Sequence, residues 1–304
     1  MGMLDGKVAI VTGAGNGLGR AHALELAKHG AKVVVNDLGG SVTGEGSGTA
    51  AADTVAVIAS RGGDAVANFA DVSDHEQCGA LVQQGIDTYG RLDILVNNAG
   101  IARDAAIWNM PVENFDLVMK VHVRGTWSTS HFAAKYWRAQ AKAGEKLQGR
   151  IINTTSGAGL TGNFGQTNYA TAKAAIVGLT QTLAIELKSI GVTANAIGPA
   201  GATRITATIP GRDEIINADD IPEGEYHPLN PANCSPLVAW LASDGSAMVT
   251  GQVLRNIYDT IYWMHGWREA ASVSSGEKMW DATQLHGILS ARLFGTGVDS
   301  LLFR

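Results

Sequence analysis

The sequence is poor in cysteine and lacks both a run of basic residues and an apolar segment of membrane-spanning length. Its two cysteines, Cys78 and Cys234, are too few for a disulfide framework, so reduced thiols in a reducing compartment, the cytoplasm, are expected. The net charge of −5 comes without a basic cluster, which argues against nucleic acid or an anionic membrane as a partner. No signal-peptide pattern precedes the first apolar run.

Two further absences narrow the class of protein. The eight histidines are scattered without the spacing of metal ligands, so no metal site is expected. The sequence has no internal repeat of the length typical of solenoid proteins. With 304 residues and 45% hydrophobic content, the chain is long enough to bury a sizeable core, and residues 1–304 are expected to form a single domain.

Apolar β-branched runs alternate with amphipathic helical patterns as far as about residue 200. This alternation predicts βαβ units, and therefore a parallel sheet with helices on both faces. Strands are expected near residues 7–12, 32–37, 64–69, 92–96, 149–155 and 192–198, with a last strand after Gly251. The expected fold class is α/β, a Rossmann-type doubly wound sheet of about seven strands.

The first strand runs directly into the glycine-rich stretch T-G-A-G-N-G-L-G. Gly13, Gly17 and Gly19 lie where a buried strand turns into a helix, and glycine permits both the tight turn and close approach to a pyrophosphate. The helix over residues 18–29 would direct its N-terminal amides at that phosphate. The second strand ends at Asp37, close to the expected position of an acidic residue that binds the adenosine ribose.

Asp37 also bears on the choice of nucleotide. A carboxylate there would repel the 2′-phosphate of NADP, and Leu38 supplies no positive charge to offset it. Asn16, inside the turn, is uncharged, and Arg20 suits a phosphate or a carboxylate equally. NAD is therefore expected over NADP, the alternative being that Asp37 is a plain turn carboxylate before two glycines.

A second group of polar residues follows the strand-like run R-I-I-N-T-T-S, which ends at Ser156. Tyr169 and Lys173 are four residues apart in Y-A-T-A-K, which puts both side chains on one face of a helix. An ammonium beside a phenol favours the phenolate and lowers the tyrosine pKa from about 10. Such a pair alone is more often an ordinary helix face, but the preceding dinucleotide pattern favours a reacting centre that transfers a proton.

With this order of motifs, the chain resembles the short-chain dehydrogenase/reductase family over about residues 5–260. The glycine stretch, the segment N-N-A-G and the Ser, Tyr and Lys with their spacings all match the family's motifs. The stretches V-V-V-N-D-L-G-G, V-H-V-R-G and G-N-F-G-Q-T-N-Y are most similar to the (3R)-hydroxyacyl-CoA dehydrogenase unit of peroxisomal multifunctional enzyme type 2 and to its actinobacterial stand-alone relatives. Thr203 and Thr206 fall where the family places a threonine that contacts the nicotinamide.

The resemblance implies roles for individual residues. Ser156, Tyr169 and Lys173 are implied to be catalytic. His122 stands where the family usually has a catalytic asparagine, and it is either a titrating relay residue or a neutral histidine packed in the core. The residues implied to bind the cofactor are Thr12, Gly13, Asn16, Gly17, Leu18, Gly19, Asp37, Asp71, Val72, Asn98, Ala99, Gly100, Tyr169, Lys173, Pro199 and Thr203.

The resemblance also divides the remaining chain. Residues of about 201–234 would form a substrate-binding loop that closes over the substrate. The Gly/Ser-rich residues 39–50 are either a lid over the adenine end or a mobile surface loop. A C-terminal extension of about residues 260–304, which contains Trp263, Trp267 and Trp280, would pack on its own or a neighbouring subunit, or add aromatics to an apolar substrate pocket.

The implied function is that of an NAD(H)-dependent oxidoreductase that interconverts a secondary alcohol and a ketone. The expected substrate is a 3-hydroxyacyl-CoA, including a steroid-derived one, and the alternative is a free hydrophobic alcohol or ketone, such as a terpenoid or steroid. A non-catalytic NAD-binding scaffold or sensor is the alternative of another class. The helices near residues 112–138 and 167–189 would pair with other copies, giving a homodimer or homotetramer.

Overall fold

The computed structural model describes residues 2–208, 211, 213–222, 225–266, 272–276 and 279–289. The chain divides into two compact units, Met1–Met264 and His265–Arg304. The strands are β1 (Val8–Thr12), β2 (Lys32–Asn36), β3 (Ala65–Asn68), β4 (Ile94–Asn97), β5 (Gly149–Thr154), β6 (Val192–Pro199), β7 (Val253–Ile257) and β8 (Thr260–Met264). The α-helices are α1 (Gly17–Lys28), α2 (Ala50–Ser60), α3 (His75–Tyr89), α4 (Val112–Met119), α5 (Gly125–Lys142), α6 (Gly157–Thr161), α7 (Thr167–Leu187), α8 (Ser235–Ala242) and, in the second unit, α9 (Ala282–Leu289).

The first unit is built on one sheet with the order β3-β2-β1-β4-β5-β6-β7-β8. All neighbouring strands pair in parallel except β7 and β8, which are antiparallel. The chain order reverses between β1 and β4, because β1 pairs with both β2 and β4. This is the doubly wound topology that the alternation of strand and helix patterns predicts, and that prediction is confirmed.

The eighth strand is a difference from the expected seven. β7 ends at Ile257 and β8 begins at Thr260, so the two form a hairpin with a two-residue turn. Tyr258 takes up the turn with φ of +57°, a backbone conformation that side chains other than glycine seldom adopt. Because neither turn residue is a glycine, the sequence carries no ordinary hairpin signal here.

Apolar side chains alternate between the two faces of the sheet and form two cores. On one face, Val33 and Val35 of β2 pack with α1, α2 and α8, including Leu26 and Ile58. On the other face, Val34 packs with α3, α5 and α7. The strands are therefore buried on both faces, which explains their continuous apolar runs.

The helix expected near residues 112–138 is interrupted. α4 ends at Met119, a π-helical turn covers Lys120–Arg124, and α5 then continues to Lys142. A π-helical turn is rare and often occurs at functional sites, and this one contains His122. The helix predicted over 167–189 is α7, which ends at Leu187.

The extension predicted over about residues 260–304 is described only in parts. Trp263 lies on β8 with its indole N–H donating to Gln252 at 2.9 Å, Trp280 is described and 42% exposed, and Trp267 lies outside the described residues. Within the part of the chain that the structure describes, no helix combines the length and apolar character needed to cross a bilayer.

Candidate active site

A cavity of about 400 Å³ opens at the carboxyl ends of the strands. It lies where the chain order of the sheet reverses, the usual position of ligand sites in such folds. The sequence-predicted residues on its wall are Gly13, Asn16, Gly17, Leu18, Gly19, Asp37, Asp71, Val72, Asn98, Ala99, Gly100, His122, Ser156, Tyr169, Lys173, Pro199 and Thr203. The structure thus brings together in one cavity residues that the sequence separates by up to 190 positions.

Thr12 is the predicted cofactor residue that does not lie on this wall. Its side chain is only 2% exposed, and its hydroxyl accepts hydrogen bonds from the amides of Asn98 and Ala99 at 3.0 and 3.1 Å. The Asn98 side chain in turn donates to the carbonyls of Thr12 and Gly13, both at 3.1 Å. Thr12 therefore positions the N-N-A-G segment from below, and we expect it to act on a ligand only through that segment.

The turn after β1 needs glycine for reasons that the structure makes specific. Gly13 and Gly17 have φ of +62° and +52°, and a Cβ on Gly13 would lie 2.7 Å from the Cα of Ala99. A Cβ on Gly19 would lie 2.1 Å from the carbonyl oxygen of Gly13. Gly15, which the sequence motif does not single out, is equally restricted, because its Cβ would lie 2.8 Å from a carboxylate oxygen of Asp37.

Asp37 is held against this turn at the end of β2. One carboxylate oxygen accepts from the amide of Gly15 at 2.8 Å, and the other accepts from the amide of Gly39 at 2.7 Å. Each oxygen keeps lone pairs for a further donor. On the next loop, Asp71 accepts from both the amide and the hydroxyl of Ser73 at 2.8 Å. The two carboxylates are therefore fixed on the cavity wall, and both can accept hydrogen bonds from ligand hydroxyl or amine groups.

A buried polar network attaches α7 and α5 to the centre of the sheet. Asn97 of β4 donates to Asn153 of β5 at 2.9 Å and accepts from Thr129 of α5 at 2.6 Å. Asn153 donates to Thr180 of α7 at 2.9 Å. All four residues are at most 4% exposed, so these bonds are not weakened by competition with water. The network holds α7, which carries Tyr169 and Lys173, at a fixed position on the sheet.

Tyr169, Lys173 and Ser156 meet where β5 ends and α7 begins. The Lys173 ammonium donates to the carbonyl of Thr154 at 2.7 Å and lies 5.5 Å from the centroid of the Tyr169 ring. Ser156 caps α6 and hydrogen-bonds the Tyr169 phenol, which favours the phenolate. The four-residue spacing in the sequence thus places both α7 side chains on one face of the helix, as predicted.

The protonation equilibria differ from the sequence-based expectation. Burial raises the pKa of Tyr169 to about 12, against the smaller lowering effect of the Ser156 hydrogen bond. Burial also lowers the pKa of Lys173 to about 7, so this side chain is only partly charged near neutral pH. The pKa of Tyr169 therefore lies above its ordinary value, opposite to the expected lowering, because burial outweighs the groups that favour the phenolate. Spacing places two groups side by side, but the loss of their hydration decides the direction of both shifts.

His122 lies between α7 and the N-N-A-G segment. Its Nε2 is 2.9 Å from the carbonyl oxygen and 3.1 Å from the amide nitrogen of Ile101. Its ring packs edge-on against Tyr169 with centroids 5.3 Å apart, and Gly100 makes room for it. Burial, with a contribution from the charge of Lys173, lowers the pKa of His122 to about 3. The ring is therefore neutral at physiological pH, and of the two expectations the titrating ring is wrong.

The Gly/Ser-rich segment forms part of the cavity wall through residues 40–42 and Gly44. Arg103 ties it down by donating to the carbonyl of Thr43 at 2.8 Å and to Glu45 at 3.1 Å. The amide of Ala102 donates to the carbonyl of Val42 at 3.1 Å. Of the two expectations for this segment, a cover at the cavity fits these contacts better than an unattached surface loop.

The stretch expected to bind substrate is also anchored. Asp219 accepts from Arg20 of α1 at 2.5 Å and from Arg61 at 2.9 Å. Arg20, which suited a phosphate or a carboxylate on sequence grounds, therefore pairs with a carboxylate. The anchored stretch contributes Thr206, which the family resemblance had singled out. It also contributes wall residues that the sequence patterns do not reveal: Gly201, Arg204, Ile205, Ile215, Ile216 and Asn217. The irregular pattern after β6 has no period from which their direction could be read.

The chain is similar to known proteins over most of its length. The sequence model of the family described as short chain dehydrogenase matches residues 7–212. The chain is 45% identical over 246 residues to peroxisomal multifunctional enzyme A of Dictyostelium discoideum, covering 81% of this chain and 51% of that protein. It is 41% identical over 292 residues to hydroxyacyl-CoA dehydrogenase ChsB1 of Mycobacterium tuberculosis, covering 94% and 88%.

A solved structure agrees in fold as well as in sequence. The crystal structure of a short chain dehydrogenase from Mycobacterium avium matches with a TM-score of 0.86 and 44% identity over 96% of each chain. The chain spans about half or less of the length of the peroxisomal relatives that it matches. The similarity to those proteins therefore concerns one part of each of them.

Proposed function

The chain belongs to the short chain dehydrogenase family, and on this basis we propose that it is an NAD(H)-dependent oxidoreductase for the 3-hydroxy group of an acyl-CoA. The observation that carries the proposal is the shared cavity: Ser156, Tyr169 and Lys173 line the same wall as the glycine turn and Asp37. The residues proposed to transfer a proton and those proposed to bind a dinucleotide therefore line the same cavity.

The residues present fit a nicotinamide dinucleotide. The side-chain-free positions Gly13, Gly17 and Gly19 leave a concave turn at the N-terminus of α1, where amides without helical partners favour a pyrophosphate. Asp37 would accept from the adenosine ribose. Lys173 uses one of its three N–H donors at Thr154 and has two left for ribose hydroxyls. When bound, the nicotinamide supplies the hydride acceptor.

The protein's own part in the reaction is proton transfer and positioning. In the oxidative direction, Tyr169 accepts the proton of the substrate hydroxyl as general base. Ser156 donates a hydrogen bond to the substrate oxygen and stabilises the charge that develops there. A charged Lys173 favours the phenolate, and hydrogen bonds from its two remaining donors would hold that charge against the cost of burial. His122, being neutral, fixes the backbone of Ile101 beneath the site.

The preference for NAD over NADP is part of the proposal and rests on Asp37. We expect Asp37→Asn to lower the ratio of kcat/KM for NAD to that for NADP by about tenfold to a hundredfold, because the repulsion of a 2′-phosphate is lost. Asparagine keeps one oxygen acceptor, so the turn is less disturbed than by alanine. The measurement is steady-state kinetics with each nucleotide.

The matched control is Asp87→Asn, which removes the charge of an exposed carboxylate on α3 outside the cavity. Its nucleotide preference should equal that of the wild type. An unchanged preference in Asp37→Asn would contradict Asp37 as the discriminating residue.

For the substrate, one relative points to an acyl-CoA, because it is named a hydroxyacyl-CoA dehydrogenase. We test the substrate class by following NADH absorbance with matched pairs, in which each 3-hydroxyacyl-CoA is compared with a free hydrophobic alcohol such as a terpenoid or sterol. A higher kcat/KM for the CoA esters supports the proposal. Turnover of the free alcohols alone would replace it, and no turnover of either would favour a scaffold or sensor.

The proposal includes an oligomeric state and a cellular location. A homodimer or homotetramer is supported by apolar side chains left exposed on two long helices, Trp127 on α5 and Ile185 on α7, which are 45% and 79% exposed. A cytoplasmic location is supported by the free, buried thiols of Cys78 and Cys234. The proposed substrate loop is residues 201–234, because its anchored part lies on the cavity wall.

A further inference from the structure

Among the described residues, the lysine and arginine side chains on the cavity wall are Lys173 and Arg204. Lys173 donates to the carbonyl of Thr154 at the reacting centre. Three arginines outside the wall also have partners: Arg20 and Arg61 share the carboxylate of Asp219, and Arg103 is bound by Thr43, Asn114 and Glu45.

Arg204 lies on the cavity wall with an exposed side chain. Within the described residues, no carboxylate, carbonyl or hydroxyl pairs with its guanidinium. The carboxylates of Asp37 and Asp71, which share this wall, accept hydrogen bonds from nearby backbone amides. Arg204 therefore presents to the cavity a guanidinium with no hydrogen-bond or ion-pair partner among the described residues, and with up to five N–H donors.

The backbone around Arg204 is fixed, so its charge is placed at a defined part of the cavity. The amide of Thr203 donates to the Thr206 hydroxyl at 2.7 Å, and that hydroxyl donates to the carbonyl of Gly201 at 3.0 Å. Thr203 lies directly against the glycine turn, since a Cβ on Gly17 would be 3.3 Å from Cγ2 of Thr203. Arg204 thus follows the residue that contacts the start of α1.

We propose that Arg204 is a phosphate-binding residue of this site. A guanidinium matches the paired oxygens of a phosphate, and no partner within the described residues has to be displaced to bind one. Resting on the proposed function, this inference allows two sources of the phosphate: the pyrophosphate of the dinucleotide, and the phosphate groups of CoA. The chemistry recognised is the same in both cases.

The test is equilibrium binding by isothermal titration calorimetry, with NADH and with CoA titrated separately into wild-type protein, Arg204→Ala and Arg204→Lys. We expect Arg204→Ala to raise the Kd of one ligand by about tenfold, as for the loss of one charge-assisted hydrogen bond. Arg204→Lys keeps the charge but not the planar fork, so its Kd should lie between the other two. Arg138→Ala, which removes an exposed arginine of α5 away from the cavity, is the matched control.

The separate titrations with NADH and with CoA identify the source of the phosphate. Weaker binding of NADH alone assigns the dinucleotide pyrophosphate, and weaker binding of CoA alone assigns the substrate carrier. An unchanged Kd for both ligands, or an equal loss in Arg138→Ala, would overturn the inference. Because neither titration requires turnover, failure of the proposed reaction appears in the absorbance assay and not here.

Discussion

Tyr169→Phe is expected to lower kcat for oxidation of a 3-hydroxyacyl-CoA by about three orders of magnitude, the range of a lost general base. The phenylalanine ring fills the same space against His122, so the cavity should keep its shape. The affinity for NADH should change little, because the glycine turn and Asp37 are untouched. The measurements are kcat from NADH absorbance and the Kd of NADH from calorimetry.

The control is Tyr262→Phe, which removes the hydroxyl of a tyrosine on β8 that is 46% exposed and not on the cavity wall. Its kcat and its Kd for NADH should match those of the wild type. If Tyr169→Phe kept wild-type kcat, the proton transfer assigned to this residue would have to be given up.

Gly19→Ala is expected to abolish measurable NADH binding at concentrations that saturate the wild type. A Cβ here would lie 2.1 Å from the Gly13 carbonyl oxygen and 2.5 Å from the side-chain nitrogen of Asn98. Neither contact is with the end of a flexible side chain that has space to move, since the Asn98 amide is bonded to Thr12 and Gly13. The turn must therefore shift, and overpacking of this kind costs about 1–3 kcal/mol of stability as well.

Gly178→Ala is the matched control, because it adds the same methyl group at a helix position where no atom lies close to it. A Cβ on Gly178 of α7 would meet nothing within 4 Å, and alanine is the better helix former by about 1 kcal/mol. This variant should bind NADH normally and be as stable as the wild type or more so. Normal NADH affinity in Gly19→Ala would contradict the cradle assigned to the glycine turn, and thermal melts of both variants separate lost binding from lost folding.

The sheet, and the glycine turn and Asp37 on the cavity wall, were predictable because they depend on local patterns. Buried parallel strands require β-branched runs, and the turn into α1 requires glycine, so both leave a signature in the sequence. The position of Asp37 follows from the length of one βαβ unit. The motif implied that Thr12 binds the cofactor, but Thr12 does not line the cavity. A motif does not distinguish a residue that touches the ligand from one that holds the loop.

The other features depend on contacts between distant parts of the chain. The hairpin at Tyr258 lacks the usual glycine, so β8 carried no turn signal. The restriction on Gly15 comes from its close contact with Asp37. The interest of Arg204 comes from its position on the cavity wall without a partner among the described residues. Neither feature can be read from the local sequence. The pKa of Tyr169 follows from its burial, which four-residue spacing does not encode.

The most direct test of the proposed reaction follows the hydrogen that is transferred. A 3-hydroxyacyl-CoA carrying deuterium on C3 is incubated with the protein and NAD, and the reduced nucleotide is analysed by mass spectrometry. We predict NADH one mass unit heavier than that from the unlabelled substrate, formed together with the 3-ketoacyl-CoA, and formation of both products about a thousandfold slower with Tyr169→Phe. Ketone formation without labelled nucleotide, or product formation at the wild-type rate in Tyr169→Phe, would contradict hydride transfer at this site.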